Sequence, residues 1–218
     1  MTREEIMKKI TIILAILTLS FLFIVACSKI VIPEQWSQVE WTNDGWDHWK
    51  LGEYEDAEVS FNNALDIDST YSDAYNGLGW TYIRMQKFTS SIDNFNTVKM
   101  LESGTQVAYE AFTGAAISFF MTDDFANSIA SAKMVTNMDP DNELYPFVFY
   151  RDGSISLFDV HLLLALDYFN TVDMANCVKE INEMRKLVVP PEDPNFDSSN
   201  WDDINKEIVR LEAKDPTP

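Results

Sequence analysis

A repeat constrains this chain more than any other feature. Gly45, Gly52, Tyr54, Ala57, Phe61 and Ala64 are answered by Gly79, Gln86, Phe88, Ser91, Phe95 and Val98, each 34 residues further on. After another 37 residues Ala116, Asp123, Phe125, Ser128, Ala132 and Val135 give the same order of small, aromatic, small, apolar and small positions. A unit of that length cannot bury its own apolar face, whereas stacked units share a continuous core. From Val39 the apolar positions follow helical spacing, break near Leu51-Gly52-Glu53, and resume over a second helix from Glu55 to Ile67. Each unit is therefore two antiparallel helices. Gly45 and Ala57 mark where the two backbones approach, and Trp41 and Phe61 fill the space beside that contact.

The pattern Trp41, Gly45, Tyr54, Ala57, Phe61, Ala64 resembles the tetratricopeptide repeat (TPR), and Tyr75, Leu78, Gly79, Tyr82, Phe88 and Phe95 repeat it. The third unit departs at Ala116 but keeps Phe125, Ser128, Val135 and a terminal Pro140. A weaker fourth is read at His161, Leu164, Ala165, Tyr168, Met174, Cys177, Ile181 and Met184, ending at Val189-Pro190-Pro191. The resemblance implies an all-α solenoid of helix-turn-helix units over 39–190, with three clear repeats and a degenerate fourth. Residues 141–156 interrupt it. Leu144 to Tyr150 is strand-like in composition, but Pro146 and Asp152-Gly153 suggest an ordered loop packed by its aromatics. Residues 191–218 read as a connector, a capping helix and a tail. Asn200 caps a helix from Trp201 to Ala213 that carries Trp201, Ile204, Ile208 and Leu211 on one face and closes the open end of the stack.

At the other end Met7-Lys8-Lys9 precedes an apolar run from Ile10 to Val25, a signal-peptide pattern. Glu4 and Glu5 leave translation from Met1 or from Met7 open. Ile24-Val25-Ala26-Cys27 resembles the lipobox of bacterial lipoproteins, which implies that residues 1–26 are removed and Cys27 carries lipid. A plain membrane anchor is the alternative, and the run is short for a span. Residues 27–38 then form a tether, roughly ten of them reaching at most about 35 Å. Ser28 after the cysteine, by resemblance to sorting in enteric bacteria, points to the outer membrane.

The formal net charge is −19. Such a surface repels phosphate backbones, so nucleic acid is excluded as a partner, while a basic protein segment is permitted. Acidity that merely maintains solubility is the plainer reading. With Cys27 lipidated, Cys177 has no intrachain partner; it occupies a slot that is Ala57, Ser91 and Ser128 elsewhere, which makes it a buried small residue. The chain has no Walker loop, GxGxxG, HExxH or GxSxG, and only His48 and His161, both at large positions of first helices where packing explains them. Asp139, Asp141 and Glu143 lack the glycine and distal glutamate of a calcium loop. No metal, cofactor or enzymatic activity is expected.

In the TPR family the first helix of each unit lines the concave surface. Carried over by register, that role falls to Trp46, Trp49 and Lys50, then Asn76, Trp80, Ile83 and Arg84, then Glu110, Thr113, Ile117 and Phe120. This groove is aromatic, not basic. The positions that clamp a C-terminal carboxylate in chaperone-binding members hold Thr42, Trp46, Gly77, Glu110 and Gly114 here, which argues against that ligand. Two occupants stay open: an apolar or extended peptide of another protein, or the chain itself, through Trp36 or the insertion around Phe147. The expectation is a lipid-anchored scaffold that binds a protein or peptide in the bacterial envelope. Carbohydrate capture on exposed tryptophans and a purely architectural role are the alternatives.

Overall fold

In a computed structural model the described residues are 36–138, 149, 151, 153, 155–187 and 198–213, all within one compact unit, Trp36–Pro218. The leader, Cys27, most of the tether, Asp139 and Pro140, the bulk of the insertion with Asp141, Glu143 and Phe147, the Val189-Pro190-Pro191 repeat end, the connector before Ser198 and the tail after Ala213 lie outside them. Among the described residues the elements are helices: α1 Gln38–Leu51, α2 Tyr54–Ile67, α3 Ser72–Arg84, α4 Phe88–Leu101, α5 Gln106–Phe120, α6 Phe125–Met138, α7 Leu157–Asn170, α8 Met174–Leu187 and α9 Trp201–Glu212. None is long and apolar enough to cross a membrane.

Local chemistry starts and stops these helices. Ser37 and Glu40 form a reciprocal capping box at α1, and Ser156 and Asp159 do so at α7; Thr105 and Asn200 accept from backbone N–H groups at α5 and α9. The turn inside each pair is the same four times. Gly52, Gln86, Asp123 and Val172 all take positive φ, at 79°, 58°, 59° and 61°. In each, the backbone N–H of that residue and of the next fold back onto carbonyls of the preceding helix, as Gly52 does to Trp49 and Glu53 to His48, and as Val172 does to Phe169 and Asp173 to Tyr168. Glycine suits the first; the other three repeats adopt the conformation without it.

Helices pair as α1–α2, α3–α4, α5–α6 and α7–α8, each second helix packs on the first helix of the following unit, and α1, α3, α5 and α7 touch in a row. The weak fourth repeat is thus a full helix pair, stacked in register despite the insertion. The small residues make this stacking possible. A Cβ at Gly45 or Gly77 would meet the Phe61 ring at 2.7 or 2.3 Å, and one at Gly79 or Gly114 would meet Phe95 at 2.5 or 2.2 Å. Each buried phenyl ring is therefore wedged between glycines of two successive first helices. The third unit puts Ala132 where the phenylalanine stood and tolerates Ala116 opposite it; both are fully buried.

Two buried serine hydroxyls recur in register and find partners. Ser91 donates to the Gly79 carbonyl at 2.9 Å, and the Ser128 oxygen sits 3.0 Å from the Ala116 carbonyl while lying closer, at 2.7 Å, to Asp167 Oδ2 of α7. Cys177 fills the equivalent slot, fully buried. At the far end Ile204, Ile208 and Leu211 of α9 bury against α8 and α7, and buried Glu207 accepts from Arg185 Nε of α8 at 2.8 Å and from Arg210. Burial alone would raise the Glu207 carboxyl, but the Arg210 and Arg185 guanidiniums outweigh it and hold it below its ordinary value.

Candidate binding groove

The row of first helices places the expected groove residues as follows. Trp46, Trp49, Asn76, Trp80, Glu110 and Thr113 are buried; Ile83, Ile117 and Phe120 are half-buried; Arg84 and Lys50 are exposed, with the Arg84 guanidinium carbon 5.1 Å from the Trp49 ring centroid. Phe120 lies edge-on to Phe125 at 5.8 Å, across the turn of its own unit, and the Thr113 hydroxyl donates to the Tyr109 carbonyl of its own helix. Neither joins the tryptophans.

Trp46 and Trp49 stand edge-on to each other at 5.8 Å, and Phe149 is the residue whose ring meets both of them and Trp80. Its ring stacks on Trp80 at 4.4 Å and 28°, and it stands edge-on to Trp49 at 5.8 Å and to Trp46 at 6.2 Å. Of the two occupants the sequence left open, the chain's own insertion is the one in place, and the residue is Phe149. Trp36 instead packs on Trp41, centroids 4.6 Å apart. Aromatic contacts of this kind contribute about 0.5–1.5 kcal/mol each beyond the area they bury.

Arg151, two residues on, makes the second contact. Its guanidinium carbon lies 4.6 Å over the Trp46 ring, and it donates to Asp73 Oδ2 at the start of α3. Asp73 Oδ1 accepts the Trp46 indole N–H at 3.3 Å. One carboxylate thus orients both an aromatic wall and the cation that caps it. Sequence reasoning named neither Asp73 nor Arg151; only the aromatic run of the insertion signalled that something from it could reach the groove.

The polar inventory is incomplete. Asn76 Nδ2 donates to Glu110 Oε2 at 2.7 Å, but Asn76 Oδ1, Trp49 Nε1, Trp80 Nε1 and Thr42 Oγ1 are buried without a hydrogen-bond partner. Each such atom costs about 1–3 kcal/mol of desolvation. Phe149 does not relieve them with its backbone, because its N–H donates to the Ile155 carbonyl at 2.6 Å and its carbonyl accepts from Gly153 at 2.8 Å.

Elsewhere the histidines divide. His161 is buried and within 2.7 Å of Glu180. His48 is half-buried rather than core: its Nδ1 lies 2.6 Å from Glu53 at the exposed first turn, and that hydrogen bond raises its pKa. Glu53 and Asp56 beside it are exposed, so the three potential ligands that come within 4.8 Å of one another form a solvated surface cluster.

No protein-family model and no curated protein matches the chain. Solved structures do resemble it. One chain of the APC/C hetero-tetramer Cut9–Hcn1 aligns over 81% of this chain at 13% identity with a TM-score of 0.59, and this chain spans 30% of that one. MamA aligns over 81% of this chain and 88% of its own at 14% identity, TM-score 0.59. YrrB, a TPR protein with an unusual peptide-binding site, aligns over 80% and 82% at 13% identity, TM-score 0.55. At such identity the likeness speaks to fold. The chain is an all-α helical solenoid of the TPR type.

Proposed function

We propose that the chain is a protein- or peptide-binding scaffold of the bacterial envelope, held to a membrane, by expectation the outer one, through lipid on Cys27. The observation that carries the binding role is the groove itself: a row of first helices that gathers three tryptophans around an aromatic side chain and also carries a buried, hydrogen-bonded asparagine–glutamate pair. YrrB, of the same fold, has a peptide-binding site, which supports the reading without supplying the ligand. The anchoring role rests on the lipobox-like Ile24-Val25-Ala26-Cys27. Stable anchoring needs more than one acyl chain, at about 0.8 kcal/mol per buried CH₂. By resemblance to lipoproteins, one modified cysteine supplies several. Carbohydrate stacking has less to stand on, because Trp46, Trp49 and Trp80 are covered and Trp36 alone is exposed among the tryptophans.

Two measurements test the two halves. Cys27→Ser should leave an unprocessed precursor or a released domain; normal processing and membrane retention would overturn the anchor. A photo-crosslinking residue at Ile83 or Ile117, compared with one at Val59 on α2, should capture a discrete protein only from the groove positions when read by mass spectrometry from native membranes. Equal capture from both faces would remove the groove from the account.

A further inference from the structure

We propose that Phe149 and Arg151 are a built-in occupant of the groove, and that its external ligand is an extended peptide with an aromatic side chain two residues ahead of an arginine. This rests on the scaffold reading and adds the chemistry of the partner and the competitor it must displace.

Three observations carry it. First, the chain shows what the groove accepts: an aromatic ring against Trp80, Trp49 and Trp46, and a guanidinium between the Trp46 face and the Asp73 carboxylate. Second, the occupant is polar-incomplete. Two indole N–H donors of these walls remain unpartnered and buried, as does the Asn76 amide oxygen on α3, one helical turn before Trp80, while the backbone of Phe149 is engaged with Gly153 and Ile155. An extended peptide entering from outside brings backbone carbonyls and N–H groups that are not already engaged with one another, and so can meet donors and an acceptor that the internal residues leave unmet. Third, a chain of net charge −19 attracts a basic segment and repels an acidic one.

An internal occupant lowers apparent affinity by the fraction of molecules in which the groove is open, so removing it strengthens binding without any new contact. The test uses the full chain, its Phe149→Ala/Arg151→Ala variant, and a fluorescent peptide with a central Phe-Ala-Arg flanked by small polar residues. Fluorescence anisotropy should show the variant binding about tenfold tighter or more, as expected when only about a tenth of the molecules are open. A Phe-Ala-Glu peptide should bind neither form. Arg151→Ala alone, at a partly exposed position, should give a smaller gain and serves if the double variant is poorly folded. Equal affinity for variant and parent, no binding by either variant with helicity retained, or equal binding of the glutamate peptide would each overturn the proposal. A concentration-dependent dimer formed only by the variant would also overturn it, assigning the groove to a second copy. Groove-directed crosslinking could still succeed in all those cases, so the scaffold reading fails or stands separately.

Discussion

A Cβ built on Gly114 would lie 2.2 Å from Phe95 Cζ, and one on Gly79, across the same ring, 2.5 Å from Phe95 Cε1. The ring is fully buried, so it has nowhere to retreat. Gly114→Ala and Gly79→Ala should each destabilise by about 1–3 kcal/mol through overpacking, despite alanine's better helix propensity. Thermal unfolding reports this as a drop of roughly 2–4 °C per kcal/mol at this size. The third unit supplies the control: Gly79→Ala made together with Phe95→Ala should cost less than the two single changes summed. Strict additivity would show that the ring and the glycine do not share the space.

Val172 is a β-branched residue at φ 61°, in the turn position that glycine holds in the first repeat. Left-handed geometry costs an L-residue roughly 1–2 kcal/mol, of which glycine's greater unfolded freedom returns about half. Val172 is also 71% exposed, so its side chain contributes little packing. Val172→Gly should therefore raise the melting temperature by a degree or more, and Gly52→Val should lower it. A destabilised Val172→Gly protein would contradict the shared turn.

Asp167 occupies the slot of Thr81 and Ser118 in earlier repeats, fully buried, its Oδ2 accepting from Ser128 at 2.7 Å and its Oδ1 without a partner. Burial pushes its carboxyl up to about 7, against the smaller opposing effect of the Ser128 hydrogen bond. An unfolded aspartate loses its proton near pH 3.9. Between about pH 4 and 7 the folded chain thus holds a proton the unfolded chain has released, and stability falls as pH rises through that window before levelling. The penalty above it is on the order of 4 kcal/mol. Asp167→Asn should be more stable than the parent at about pH 8 and lose most of that advantage near pH 4; a difference that does not change with pH would exclude Asp167 as its source.

Trp80 touches both Phe95 of α4, at 5.7 Å, and Phe149. It belongs to the permanent core on one side and to the displaceable contact on the other. Trp80→Ala should cost about 3–5 kcal/mol. Phe149→Ala should cost less, because truncating the occupant also releases the unpartnered donors around it to water. Denaturant titration of both variants checks the ranking, and the reverse order would make Phe149 an ordinary core residue.

Cys177 is fully buried, and its thiol is pushed up to about 11 by burial, with Asp173 and Glu180 adding to the effect. The nucleophilic thiolate is then scarce at neutral pH. A thiol reagent should label Cys177 of the Cys27→Ser chain only as fast as the protein opens, and labelling should accelerate with denaturant. Rapid labelling of the native protein would contradict the burial.

The sequence by itself determined the units, because each requirement is local and recurs. Helical periodicity, the small residues at Gly45, Gly79 and Ala116, and the aromatic positions at Tyr54, Phe88 and Phe125 can be read along one strand of text, and the structure returns them as four stacked helix pairs with a cap. It also determined that first helices would carry tryptophans at 46, 49 and 80. It could not say what covers them. Phe149 is separated from Trp80 by 69 positions and from Trp46 by more than 100, and a run rich in aromatics does not reveal which ring meets a distant surface. Nor could it show that Asp73 would face both the Trp46 indole and Arg151, since an acidic residue near a helix start ordinarily reads as favouring the helix dipole. Only the stacking of the units brings those groups within contact distance. The groove is therefore legible as a position in the repeat, while its occupancy is a property of the tertiary structure.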